Sequence, residues 1–497
     1  VGFTGPRNNA LRGETVSFDE AISGILLYEI ATLLVVACND VHIYSSSNKN
    51  MTKDKKHYTC SNCGNTSPKW SGQCFDCGVW GSIVEEIVSS NKAIVKTGSK
   101  QDFDKLSGHV AEQLRIPTPI GELNRVLGGG LVLGSAILIG GDPGIGKSTL
   151  LLQLAASNFA SKMNCLYITG EESLDQIKLR AIRLNLTNYN TDILAATNLE
   201  DIIASIEANK NNIDLVVIDS IQTITTKELS SPPGTVSQIR TCANELVNYA
   251  KQNNIIILLS CHVTKDGQLA GPKILEHLVD TVLYFEGDHN NHFRILRSYK
   301  NRFGGVGEIG VFEMSGSGLI EVTNPSELFL MKREQNVIGT SIFAGIEGSR
   351  PLLMEVQALI VPSNMVTPRR SAVGWDANRL SMILAVLISS RIGLNLANYE
   401  VYLSIAGGLK IADPASDLAV VASLISAATG KPVPEHSVFF GEISLSGEIR
   451  KTAKAETRIK EAVKLGFNKI ICSKLENLTY DFISSVSHLK DLKEIIK

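Results

Sequence analysis

The sequence predicts an α/β protein: a mostly parallel sheet covered on both faces, preceded by a small cysteine module and followed by an α+β domain. Three observations lead there. Four apolar runs, Ala136–Gly140, Cys165–Thr169, Asp214–Ser220 and Asn254–Ser260, have strand length and are too continuous for strands with one wet face. Helical patterns such as Ser237–Ala250 separate them, the alternation expected of parallel β/α units. After Pro325 the pattern changes to short strand candidates mixed with apolar-striped helices. At roughly 100–200 residues per domain, a chain of 497 residues requires more than one core.

Composition narrows the classes. Hydrophobic residues make up 44% and charged residues 20%, which excludes wholesale disorder. Lys plus Arg total 48 against 50 Asp plus Glu, a net charge of −2, so there is no globally basic coat. A local basic channel remains compatible with that sum, because protein fields are regional. Nine Cys are far too few for a disulfide scaffold.

The elements follow in chain order. Residues 1–50 hold an apolar run, 21–37, interrupted by Glu29; a mid-run charge costs about 2.5–3.5 kcal/mol on insertion scales, which weakens a membrane span. Three readings stand open: an over-extended start ahead of Met51, a membrane anchor, or an extra amphipathic helix. No stable membrane association is expected.

Cys60-x2-Cys63 and Cys74-x2-Cys77 are separated by ten residues. Each pair points two thiolates at one centre, and the spacer lets the two loops face each other as a closed tetrahedral zinc site over 57–80. Gly64 and Gly78 follow the second Cys of each pair, where a missing side chain lets backbone N–H groups turn toward sulfur. Trp70 and Trp80 are expected to cover this module. Lys53, Lys55, Lys56, His57 and Lys69 make it locally basic, a surface for a partner or plain solvation. Residues 81–114 read as a linker, with room for a short strand at the start.

The run Ala136–Gly140 delivers into Gly141, Asp142, Pro143, Gly144, Ile145, Gly146, Lys147, Ser148 and Thr149, followed by the helical stripe Leu150, Leu151, Leu154 and Ala155. This is the strand, loop and helix context of a phosphate loop, expected within a domain at 115–330. The glycines let backbone N–H groups face phosphates and the helix N-terminus adds positive potential. Lys147 is expected to reach the β and γ phosphates of ATP and Ser148 to ligate Mg2+. Asp219, at the tip of the third run, is placed to organise the metal. Glu171 or Glu172 is the group to polarise attacking water, and spacing alone does not choose between them. His262, Lys265 and Gln268 lie in a loop able to sense the γ-phosphate or touch a polymer. If the strand FRILRSY continues, Lys300 and Arg302 share a face, as a phosphate track, an arginine finger for a neighbouring subunit, or a solvated hairpin end.

Taken together, the four-Cys cluster, GDPGIGKST at 141–149, ITGEES at 168–173, LVVIDSIQT at 215–223, HVTKDG and LAGPKILEHLVD within 262–280, and KNRFG at 300–304 resemble the bacterial RadA/Sms family from about Met51 to the end. The resemblance implies a RecA-like ATPase core with Glu171 as the catalytic glutamate. It also implies a hexameric, cytoplasmic, DNA-dependent ATPase that moves on single-stranded DNA. Such a protein promotes branch migration of branched recombination intermediates alongside the RecA recombinase. Lys300, Asn301, Arg302, Phe303 and Gly304 would serve DNA handling and ATPase function.

In the last third, 331–497, helices are expected at Arg379–Ile388, Asp417–Ala428 and Ala455–Lys464, and strands at Tyr402–Ala406, His436–Glu442 and Lys469–Cys472. This part is similar to the proteolytic domain of Lon. The match puts Ser416 at the nucleophile position and Glu456 where Lon supplies its general-base lysine. Lys454 is offset by two residues, so a non-proteolytic domain is expected, with an active Lon-like protease and a non-motor ATP-switched clamp as the rival readings. Arg450, Lys451, Lys454, Arg458 and Lys460 then read as a surface for DNA or ring assembly, or as ordinary helix solvation.

Overall fold

The computed structural model describes residues 55–60, 65–76, 78–88, 114–157, 163–186, 191–209, 212–262, 274–287, 292–330, 337–389, 393–476 and 480–496. Residues 1–50, Cys63, Cys77, Lys265 and Gln268 fall outside them.

The cysteine module is a three-stranded antiparallel sheet in which Lys55–Cys60 pairs with Thr66–Ser67 on one side and Ile83–Val88 on the other. The strand Ile83–Val88 occupies the start of the 81–114 segment, where the sequence left room for a short strand, and carries the ribbon past residue 80. Trp70 and Trp80 do not cover the module. They are 64% and 74% exposed, with the Trp80 ring leaning over Gly72 on the outside.

The second sheet has nine strands. From one edge the order is Gly318–Glu321, Ile309–Ser315, Phe293–Asn301, Thr281–Glu286, Ala136–Gly141, Ile256–His262, Leu215–Asp219, Cys165–Thr169 and Asp192–Ala195. The strands from Thr281–Glu286 to Asp192–Ala195 are parallel, and the other three continue the sheet as an antiparallel edge. Two cores explain why these runs are apolar throughout. Ile137, Ile139, Leu215 and Val217 point into the core that holds Leu150, Leu151 and Leu154 of the helix Lys147–Ala155. Their neighbours Ala136, Leu138, Val216 and Ile218 point into the opposite core, against Ile239, Cys242, Ala243 and Leu246 of the helix Val236–Asn253. Alternation of side chains along a strand thus yields an unbroken apolar run when both faces are covered.

The third sheet has seven strands in the order Arg370–Val373, Tyr399–Ile405, Arg350–Pro362, Thr340–Glu347, Ser437–Phe440, Lys469–Cys472 and Ile483–Ser485. The helix Asp417–Thr429 is buried from Asp417 to Ser426 and packs on Thr340–Glu347 and Arg350–Pro362. Its core continues onto Ile295, Ile309 and Val311 of the nine-stranded sheet, so the two sheets share one hydrophobic interior. Polar contacts reinforce the seam: Arg350 Nη1 donates to Glu122 Oε2 at 2.5 Å, Arg297 Nη1 to Glu347 Oε2 at 2.5 Å, and Ser349 Oγ to Glu308 Oε2 at 3.0 Å.

Candidate active site

The phosphate loop is a bend that only glycine tolerates at three points: Gly141, Gly144 and Gly146 have φ of 155°, 74° and 122°. A Cβ on Gly146 would also lie 2.8 Å from Met314 Cε, the flexible end of a side chain that would have to move aside. Ile145 anchors the loop in the core, and the buried Arg294 holds its carbonyl from behind at 3.2 Å. The helix Lys147–Ala155 then starts without a side-chain cap, leaving its first N–H groups to a ligand. Asp142, Pro143 and Gly144 are exposed at the loop's rim, and Ser148 and Thr149 are half-buried on the first turn.

Lys147 is buried beneath the loop. Its ammonium donates to Gly141 O at 2.7 Å and Asp142 O at 2.9 Å, and lies 3.1 Å from His262 Nδ1. Burial lowers its pKa, with the Asp219 carboxylate opposing that shift most strongly. Asp219 ends its strand with both oxygens occupied: Ser260 Oγ donates to Oδ1 at 2.5 Å and Tyr167 OH to Oδ2 at 2.6 Å. A serine hydroxyl and a fixed carboxylate are hard oxygen donors, the set that suits Mg2+.

The structure separates the two neighbouring acids. Glu171 faces the loop: its Oε1 accepts from Ser220 Oγ at 2.5 Å and lies 3.4 Å from His262 Nε2. The hydrogen bond from His262 is the largest cause holding its pKa down to about 2, helped by Ser220 and the Lys147 charge against partial burial. Glu172 turns away, its carboxylate taken by Arg180 and its N–H by Thr169 Oγ1 at 2.9 Å. Sequence spacing could not make this distinction, because it is set by which acid faces Ser220 and His262.

KNRFG lies at the other end of the sheet. Thr281 is in register with both Ile137 and Asn301, and Arg302 N donates to Asp280 O at 3.1 Å while Asp280 Oδ2 accepts from Ala136 N. Ala136 begins the strand that ends in the phosphate loop, so about 17–20 Å of strand separates the motif from that loop. The strand does continue, to Asn301, and Lys300 and Arg302 both turn to the segment 276–280. Lys300 Nζ donates to Glu276 O at 2.6 Å and Val279 O at 2.8 Å, whereas Arg302 Nη1 meets Asp280 Oδ1 at 3.3 Å and stays half exposed. Asn301 Oδ1 accepts from Phe303 N at 2.9 Å, and Arg115 clamps Phe303 O and Gly128 O. A Cβ on Gly304 would sit 3.1 Å from Gly128 Cα and 3.0 Å from Asn301 Nδ2, so a larger residue there requires both neighbours to give. Arg115 and Tyr167 carry no motif, and sequence reasoning missed both.

In the ribbon, Cys60 N donates to Asn65 O at 2.9 Å and Cys74 N to Val79 O at 3.0 Å, each a carbonyl five residues on. Cys60 and Cys74 thus make the same backbone bond, and both are buried. Buried thiols at Cys60 and Cys74 fit the soft ligand set of zinc.

In the third sheet's domain, Ser416 is buried; its Oγ accepts from Trp375 Nε1 at 2.9 Å and donates to Asp413 O at 2.7 Å. Asp413 is held by buried Arg458 at 2.6 Å, and Asp417 by Arg379. Glu456 is exposed and pairs with Lys460 at 2.7 Å. Lys454 has φ of 54° and donates to Gly348 O at 2.8 Å. Neither side chain is a partner of the serine hydroxyl.

Comparison with known proteins finds three family models: an AAA domain over residues 109–268, a rubredoxin metal-binding domain over 58–85, and the subunit ChlI of Mg-chelatase over 367–476. DNA repair protein RadA of Rickettsia felis is 98% identical over 447 residues, covering 90% of this chain and 100% of the relative. DNA repair protein RadA of Brucella abortus is 50% identical over 429 residues, covering 84% and 92%. That of Bacillus subtilis is 49% identical over 428 residues, covering 85% and 93%.

Proposed function

The chain belongs to the RadA family of DNA-repair proteins, and from that premise we propose that it is a DNA-dependent ATPase motor of recombinational repair. In this reading it acts in the cytoplasm as a hexameric ring, moves on single-stranded DNA, and promotes branch migration of branched intermediates alongside RecA. The observation that carries the reading is the convergence of Lys147, Asp219 and Glu171 on one glycine loop at the helix N-terminus.

Hydrolysis forms a bond from water oxygen to the γ-phosphorus and breaks the bond to the β–γ bridging oxygen. Lys147 would lie against the β and γ phosphates and offset their charge. Glu171, ionised at neutral pH, would orient the water and accept its proton. Ser148 and Asp219 would hold Mg2+, which when bound neutralises phosphate charge. Backbone N–H groups of 141–149 would fix the phosphates in line.

The distance of Lys300 and Arg302 from their own phosphate loop supports work in trans, on a neighbouring subunit's nucleotide or on DNA. Cys60, Cys63, Cys74 and Cys77 would hold zinc as a structural staple. The environment of Ser416 supports a C-terminal domain that has kept a Lon-like fold without its chemistry. The test is ATPase rate with and without single-stranded DNA. Parent protein should be stimulated, Lys147→Ala inactive, and Glu171→Gln able to bind ATP without turning it over. Equal DNA-independent rates in all three would end the motor reading.

A further inference from the structure

We propose that His262 is a positioning residue that latches Lys147 to Glu171 at the mouth of the phosphate loop, so that nucleotide competes with this latch in order to bind. The inference rests on the ATPase reading above and adds to it a group that opposes binding.

The geometry gives the chain of bonds a direction. An ammonium offers three protons and no lone pair. Lys147 directs its three at Gly141 O, Asp142 O and His262 Nδ1, at 2.7, 2.9 and 3.1 Å. Nδ1 must therefore accept, which assigns the ring proton to Nε2. Nε2 points at Glu171 Oε1, 3.4 Å away, where Ser220 Oγ also donates. The ring thus relays one polarity from cation to carboxylate.

His262 is held for this task. It is in register with Gly141 across the sheet, which sets its ring beside the mouth of the phosphate loop. Gln222 grips its backbone on both sides: Oε1 accepts from His262 N at 3.2 Å and Nε2 donates to His262 O at 3.3 Å. The backbone is fixed, so the latch opens by motion of the ring and the lysine. The charged groups around it are Lys147 and Glu171 directly, with Asp219 and Asp142 acting on Lys147. Phosphate would compete with His262 Nδ1 and the two carbonyls for the protons of Lys147, and release of the ring would free it from Glu171 Oε1 as well.

The test is nucleotide affinity in the full chain without DNA, using a fluorescent ADP analogue displaced by ADP and by ATP with Mg2+. Because the latch competes with nucleotide for Lys147, His262→Ala should tighten both nucleotides about threefold to tenfold and slow ADP release to match. In steady state KM falls, and kcat falls with it where release limits turnover. The two arms can be separated. Asn places an acceptor near Nδ1 and should restore parental affinity. Gln places its amide near Nε2, leaves Lys147 unlatched, and should bind tightly like Ala. In a Lys147→Ala background the His262→Ala effect should vanish. Weaker or unchanged binding in His262→Ala, or equal affinity of the Asn and Gln variants, overturns the latch, and the Asn–Gln comparison decides if the Ala variant does not fold. Parental turnover in Lys147→Ala would instead overturn the ATPase reading itself.

Discussion

Replacing Ser416 with Ala separates a degenerate protease from an active one, and its cost can be worked from the structure. The hydroxyl is buried and makes two hydrogen bonds, accepting from Trp375 Nε1 and donating to Asp413 O. The Asp413 carbonyl keeps a second donor, Ser416 N at 3.1 Å, so its loss is small. The indole N–H loses its partner, and an unsatisfied buried donor costs about 1–3 kcal/mol; Trp375 is half-buried, which puts the expectation at about 1–2 kcal/mol. Because the urea slope rises with the surface exposed and is above the small-protein value of about 2 kcal/mol per M here, the unfolding midpoint should fall by less than about 1 M, read by far-UV circular dichroism. Trp375→Phe removes the donor in advance. In that background Ser416→Ala should cost about 1 kcal/mol less, a coupling measured by the double-mutant cycle. ATPase activity at temperatures well below unfolding should stay at the parental level. A variant that keeps the parental midpoint but loses serine-dependent release of peptide from fluorescent casein would refute the reasoning.

The remaining predictions are shorter. Purified protein should carry about one zinc per chain, and Cys60→Ser should release it and loosen the ribbon, as measured by metal analysis and proteolysis; zinc near zero in an anaerobic preparation would exclude the site. Arg302→Ala should lower DNA-stimulated turnover more than ATP binding, and mixing it with Lys147→Ala subunits should restore some hydrolysis; no recovery in mixed oligomers would argue against action in trans. Glu171 has a folded pKa below its usual 4.5, so its contribution to stability is present above about pH 4.5 and fades as pH falls toward 2. Glu171→Gln should therefore flatten the acid limb of a pH–stability curve in that window; a curve identical to the parent's would show that the carboxylate is not held as described.

Strands covered on both faces announce themselves, because nothing along Ala136–Gly141 or Leu215–Asp219 meets water. The helix Ala455–Lys464 was legible to the residue for the opposite reason: one apolar stripe with charges elsewhere. The antiparallel edge Ile309–Ser315 and Gly318–Glu321 was not read. Its pattern is mixed because one part faces the nucleotide core and another faces the second domain. The phosphate loop was visible because its backbone demands glycine. The choice between Glu171 and Glu172 was not, since it depends on Ser220, His262 and Arg180, each brought in from elsewhere in the chain. The exposure of Trp70 and Trp80 was misread for a related cause: ring size suggests burial, but a ribbon this thin has little interior in which to bury a ring.

The shared interior of the two larger sheets bears on how this protein can be dissected. Ile295, Ile309 and Val311 belong to the ATPase sheet by chain position and to the C-terminal domain by packing. Cutting near residue 330 would leave those three side chains facing water and would strip Glu122 of Arg350. The truncated ATPase part would be sticky and prone to misfold before any question of DNA could be put to it. Loss of activity on removing the last third is therefore weak testimony that this part touches DNA; point changes on its outer surface, which leave the seam intact, are the informative cuts.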